Sequence, residues 1–198
     1  MKKKFLYFFQ IFFNFIFFSI LSNYSLAANI TGDNTISSDS STQQTFNAAD
    51  TSLTITDSST LDRDTGQKPI NINEQDNGTV TIHFGSSAVG TANTVAGNDT
   101  TGLTVNNSGT ITSTGAKAIN LLDSTDASIV NNSGGIINSK TNAISISKNG
   151  TTPDNITITN SGTIYTTNGS TNTILFHSSA TGSTITNNSG GHIYNTST

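Results

Sequence analysis

Residues 105–112 read VNNSGTIT, and the phrase returns as VNNSGGII from Val130, as TNSGTIYT from Thr159 and, loosened, as TNNSGGHIY from Thr186. A catalytic motif is needed once, whereas a phrase restated at a near-constant interval is an instruction to build the same structural unit again. Aligned on glycine, the phrases give Gly109, Gly134, Gly162 and Gly190. Extended backwards, the series meets Gly85 in HFGSSAV and Ser59 in TITDSSTL, with intervals of 26, 24, 25, 28 and 28 residues. A second phrase keeps the same register: KPINI at Lys68 lies nine residues after Ser59, and KAINL at Lys117 lies eight after Gly109. NAISI at Asn142 and NTILF at Asn172 take the same place in later units.

Each unit reads as three short alternating segments, for example GTITST, KAINL and ASIVNNS, separated by polar and glycine-containing turns. Alternation with period two is strand periodicity, and no segment after Ala28 carries apolar residues at helical spacing over three turns. One unit alone buries too little to be stable. Wound as one turn of a right-handed parallel β-helix, each strand pairs with its counterpart one turn away and a continuous core forms inside. The expected fold is therefore an all-β solenoid of about six turns of 24–28 residues, a rod roughly 30 Å long at about 4.8 Å per turn. Ile156, Ile158, Ile164, Ile174 and Phe176 point inward in one turn, and Val105, Ile111, Ile119, Leu121 and Ile129 in an earlier one. The recurring corner places Gly109, Gly134, Gly162 and Gly190 where the chain turns with unusual dihedrals, and Asn107, Asn132, Asn160 and Asn188 in a stacked amide ladder. The extra residues of TNNSGGHI leave both Asn187 and Asn188 open as its last member.

The chain opens with Lys2, Lys3 and Lys4, an apolar run from Phe5 to Leu21, and small residues around Ser25-Leu26-Ala27. That is the layout of a secretory signal, residues 1–27, cleaved after Ala27, with an uncleaved anchor as the competing reading because the run approaches the length of a membrane span. The remaining segment, 28–198, keeps three of the 11 phenylalanines and must fill its core with Ile, Val and Leu. Its five basic residues face 12 acidic ones, a net charge of about −7, with no basic stripe for phosphates, which argues against nucleic acid. Cysteine is absent, so packing and backbone pairing alone stabilise an exported chain. The last residues, GGHIYNTST, stop inside a new turn without a polar cap, which reads as an incomplete passenger whose open edge invites self-association.

No catalytic, cofactor-binding or metal-binding residue is expected. Asp64-Thr65-Gly66 matches the triplet of aspartic proteases, but one copy in LDRDTGQK without flanking apolar residues reads as a turn. DRDTG also offers alternate carboxylates to calcium, yet the ion wants six to eight oxygens and an acidic closing residue, and Glu74 is the only Glu in the chain. His83, His177 and His192 lie in different units and read as outward strand residues rather than zinc ligands.

The repeated NNSGTI, KAINL and VNNSG pattern resembles the passenger domain of bacterial autotransporters over roughly residues 50–198 plus the signal. That resemblance implies export to the periplasm, passage through the outer membrane and display at the cell surface, commonly as an adhesin. Such proteins carry a C-terminal β-barrel translocator. Its ~10-residue alternating strands with aromatic girdles are not found here, and the chain ends in Thr198 rather than an aromatic residue. A translocator barrel is then an implied partner, with periplasmic residence where none is supplied, and host or matrix glycans and proteins are candidate ligands. Two other readings stand beside it. One is a secreted polysaccharide-active enzyme on the same scaffold, using acids such as Asp154 or Asp64. The other is a trimeric-adhesin head, suggested by SSAVGTANTVAG from Ser86.

Overall fold

The computed structural model describes residues 27–63, 66–169 and 171–196. The expected leader, up to residue 26, and the Asp64-Thr65 pair lie outside them. Every regular element described is a strand of three or four residues, and the strands stack into three parallel sheets of seven, seven and six. We label them A, B and C in the order the chain visits them. One coil runs through Ile119–Leu122 in sheet A, Ser128–Asn131 in sheet B and Ile136–Ser139 in sheet C, and the next coil repeats the order from Ile144–Ser147. The molecule is a parallel β-solenoid of about six turns. The trimeric-head stretch runs as Ser87–Gly90 and Val95–Asn98 of the same solenoid, in sheets C and A.

Pairing is in register from coil to coil, so residues form columns. In sheet B, Leu53 meets Val80, Val80 meets Val105, Val105 meets Ile129, and Ile129 meets Ile158. All five are buried, and the residues between them point outward, giving the alternation read from the sequence. Val105, Ile111, Ile119, Leu121 and Ile129 are 0–1% exposed, as are Ile156, Ile158 and Ile164. Ile174 and Phe176, in the last coil, are half-buried against the same core. Each fully buried aliphatic side chain contributes about 1.5–3 kcal/mol, and stacking like on like lets one coil bury the next without a side chain long enough to cross the interior.

The turn from sheet A into sheet B obeys a conformational rule visible in six coils. Asp50, Asn77, Gly102, Asp126, Asn155 and Gly182 all have φ between 54° and 73°, and each lies two residues before its sheet-B strand. The left-handed region costs most L-residues about 1–2 kcal/mol, whereas Gly, Asn and Asp enter it readily. Column neighbours also brace one another: Asn77 Nδ2 donates to Asp50 Oδ1 at 3.1 Å and Asn155 Nδ2 to Asp126 Oδ1 at 3.0 Å.

Glycines at the turn from sheet B into sheet C serve two purposes. Gly134 has φ +83°, and a Cβ there would meet only the Phe84 ring at an ordinary contact distance of 3.9 Å, so its role is conformational. Gly109 has no left-handed φ; there a Cβ would collide with the backbone carbonyl oxygens of His83 and Ser86 in the coil above. Gly109→Ala is expected to lower stability by at least about 3 kcal/mol, because backbone has to move, and Gly134→Ala by only about 1–2 kcal/mol of dihedral strain. Urea unfolding followed by far-UV dichroism distinguishes the two; equal costs would mean one mechanism serves both corners.

Candidate functional site

The recurring Asn forms a continuous amide ladder at the end of sheet B. Asn107 Nδ2 donates to Asn131 Oδ1, Asn131 Nδ2 to Asn160 Oδ1 and Asn160 Nδ2 to Asn187 Oδ1, each at 2.8 Å. Asn107, Asn131 and Asn160 are fully buried. Each amide also reaches the carbonyl that ends its own corner, Gly109 at 3.2 Å, Gly135 at 3.2 Å, Gly162 at 3.2 Å and Gly191 at 2.9 Å. One side chain thus ties its corner shut and fastens it to the next coil.

Two positions differ from the sequence expectation. The ladder passes through Asn131 rather than the expected Asn132, and of the two asparagines left open at its end it takes Asn187. Gly135 and Gly191, not Gly134 and Gly190, stand level with Gly109 and Gly162, each next to its sheet-C strand. Corners come in two lengths, Asn-Ser-Gly at residues 107–109 and 160–162, and Asn-Asn-Ser-Gly-Gly at 131–135 and 187–191. Aligning on the first glycine therefore slips the longer corners by one residue. Asn132 and Asn188 belong to an outer tier, donating to Ser108 Oγ at 3.0 Å and Ser161 Oγ at 2.9 Å. In the longer corners Gly134 and Gly190, at φ +83° and +86°, make the additional bend.

The other residues singled out in the sequence serve structure or lie apart. Asp154 accepts from Thr181 Oγ1 at 2.7 Å and from the Asn155 backbone N–H at 3.0 Å. His83 sits 3.2 Å from Thr56 Oγ1 and His177 2.8 Å from Ser179 Oγ, while His192 is exposed at the start of a strand. Among the described residues no three His, Cys, Asp or Glu side chains converge as a metal site. Asp62 and Asp39 line a shallow open depression with Ser40, Ser41 and Thr60, and Asp39 is engaged there by the Thr60 backbone N–H at 2.9 Å.

The three outer faces differ in chemistry. Sheet A is bordered by cations at its entry and carboxylates at its exit. Lys68 and Lys117 precede their strands and reach Asn71 Oδ1 at 3.3 Å and Asn120 Oδ1 at 3.0 Å, whereas Glu74, Asp99 and Asp123 follow theirs, all at positive φ. Burial pushes the Lys117 ammonium below the usual lysine range. Asp123, itself buried, holds the loop after the next strand by accepting from the Asn149 and Gly150 N–H groups at 2.7 and 2.9 Å. The middle of this face is closed, with Ala96, Asn120 and Ser145 nearly inaccessible. Sheet C is irregular outside, with Asp62, Val89, Thr112, Asn138, Tyr165 and Tyr194 in one column and the two tyrosines stacked 5.4 Å apart. Sheet B is regular: Ser52, Thr79, Thr104, Ser128, Thr157 and Thr184 stand in one outward column, flanked by Thr54, Thr81, Asn106, Val130, Thr159 and Thr186.

No family model, curated protein or solved structure matches this chain.

The ladder is directional, and this generates a test. Its amide-to-amide bonds all run from donor to acceptor toward the C-terminal coils, and Asn107 Oδ1, beneath Ile82 in the coil above, is buried without a hydrogen-bond partner among the described residues. Asn131→Ala, which unpairs groups on both sides, is expected to cost about 2–4 kcal/mol, and Asn107→Ala about half as much. Ile82→Asn, which offers Asn107 Oδ1 a donor, is expected to be tolerated better than Ile55→Asn, one coil further from the ladder. Chemical denaturation midpoints decide; equal losses at residues 55 and 82 would deny that the orphaned oxygen matters.

Proposed function

We propose that this chain is an exported, non-enzymatic passenger of autotransporter type, displayed at the cell surface as a β-helical stalk with adhesin-like contacts. The observation that carries the reading is the unbroken register of the coils behind an N-terminal Lys2–Lys4 and Phe5–Leu21 leader. Its mechanism is geometric. A parallel solenoid is stiff because every backbone ladder continues through the next coil, and it is fastened without cysteine by buried amides, so it suits a route on which the chain crosses a membrane unfolded and refolds outside. Outside the cell, hydroxyl and amide side chains on its faces engage host or matrix glycans and proteins through many weak bonds whose strength comes from number.

The proposed partners follow. An outer-membrane translocator barrel, from a continuation of the reading frame or a separate chain, carries the passenger out; without one it resides in the periplasm. The last strands, Ile174–Phe176, Thr184–Asn187 and His192–Asn195, present edges that a further coil or a second copy would pair with.

Expression of the chain with its own N-terminus in a Gram-negative host tests the export half. Recovery in the periplasmic or surface fraction with a new N-terminus at Ala28 is expected; retention of Met1 in the cytoplasm would remove the proposal. Removing residues 1–27 is expected to keep the protein inside with its β-rich dichroism spectrum unchanged.

A further inference from the structure

We propose that the outward face of sheet B binds ice: an in-register lattice of hydroxyl and methyl groups matched to a crystalline array of water. The inference rests on this face alone and holds whether or not the chain is exported.

A crystal surface offers the same few groups repeated at fixed intervals, so a protein recognises it by repetition rather than by a pocket. Sheet B provides repetition in two directions. Along the solenoid axis one outward column carries a hydroxyl in each coil from Ser52 to Thr184, at the inter-strand spacing of about 4.8 Å. Across the face a second column stands two residues on, nearly 7 Å away. The oxygen rows of hexagonal ice repeat on a grid of similar dimensions. Threonine suits both halves of the task, its methyl ordering the adjacent water and its hydroxyl joining the ordered network. Being β-branched, it has few χ1 states to lose on binding.

Two further observations separate this face from an ordinary strand surface rich in threonine. From Thr79 to Thr186 its outward positions carry no charge; the carboxylate of the column, Asp33, stands at its N-terminal end and accepts from Ser52 Oγ at 2.7 Å. A charged group keeps its own hydration shell and would hold the ice front away. The positions between the columns are anchored in the core at 0–1% exposure from Leu53 to Ile158, so these strands cannot roll and the array is preset. Sheet A is closed over its centre and sheet C mixes Asp, Val, Asn and Tyr, so neither presents a comparable lattice. The array has one fault: Asn106 and Val130 interrupt the second column and divide it into a Thr54–Thr81 patch and a Thr159–Thr186 patch. Each hydroxyl contact is weak, and adhesion depends on many acting together, so repairing the fault should strengthen binding more than one contact would suggest.

The experiment is observation of a single ice crystal in a solution of the purified chain, with the gap between melting and freezing temperatures as the readout. The expected result is a faceted crystal and a measurable gap. Thr81→Lys together with Thr159→Lys should abolish both while leaving the far-UV dichroism unchanged, and Thr163→Lys on sheet C should leave both intact. Asn106→Thr with Val130→Thr, which completes the array with side chains of similar or smaller bulk, should widen the gap severalfold. Round, unshaped crystals with the unaltered chain would overturn the proposal. So would equal loss from the sheet-C substitution, or binding to crystalline cellulose without any shaping of ice.

Discussion

Every coil of this molecule must bring the chain back to the same place one strand spacing further on. A parallel strand takes all of its backbone partners from the coils above and below, so a slip of one residue would turn a whole strand's aliphatic side chains to water and its hydroxyls into the core. The corners enforce this return, because the strands are only three or four residues long and a slip of two residues would keep their aliphatic side chains inward. Fold specificity therefore resides in polar corner residues, and the aliphatic interior supplies driving force with little discrimination.

Each corner solves its problem with different chemistry. Between sheets A and B the device is conformational: a left-handed residue recurs in every coil from Asp50 to Gly182, drawn from the three types that tolerate it. Between sheets B and C it is a hydrogen-bonded amide whose donors close the turn and whose oxygen accepts from the previous coil. Between sheets C and A the last strand position is buried yet polar at Arg63, Ser113, Ser139 and Thr166, and Ser113 donates to the Ala92 carbonyl at 2.7 Å and accepts from the Ala116 N–H at 2.9 Å. The Ser113 hydroxyl replaces the water that would otherwise satisfy the turning backbone, whereas Ser139 Oγ, one coil on, is buried without a partner among the described residues.

The coils were legible in the sequence because two independent phrases, NSG and KAINL, keep a common interval, and the inward residues followed from alternation. The ladder was legible as a type of interaction but not at each position. Asn131-Asn132 and Asn187-Asn188 offer two amides apiece, and choosing between them needs the length of the corner, which a glycine-anchored alignment conceals. The A-to-B column was missed because its signal is spread over Asp, Asn and Gly, three letters that look unrelated until the shared φ unites them. The regularity of sheet B was hidden as well: its Thr and Ser residues are ordinary strand formers one by one, and only the pairing of Ser52 with Thr79, Thr104, Ser128 and beyond makes them a surface.

The change of chemistry within one column shows what the amides contribute. Ile55 and Ile82 occupy the ladder's position in the earlier coils, so an aliphatic side chain is sterically acceptable there. Those coils turn through longer segments, Thr56–Ser59 and His83–Ser86, where Ser59 N–H and Ser86 N–H donate to the carbonyls of Thr56 at 3.1 Å and His83 at 3.0 Å, so the turn closes on itself. The short corners 107–109 and 160–162 have too few residues for such a bond, and the buried amide replaces it by donating to the Gly109 and Gly162 carbonyls. Once one short corner needs a buried Asn, its neighbours are driven to Asn too, because an unpaired amide beside an aliphatic side chain is costly. The longer corners at 131–135 and 187–191 have both devices, a self-closing bond from Gly135 N–H to the Asn132 carbonyl at 2.9 Å, or Gly191 to Asn188 at 2.9 Å, and the ladder amide. Their asparagines thus serve the neighbouring short corners, and the orphaned Oδ1 of Asn107 marks the junction where the aliphatic solution ends and the amide solution begins.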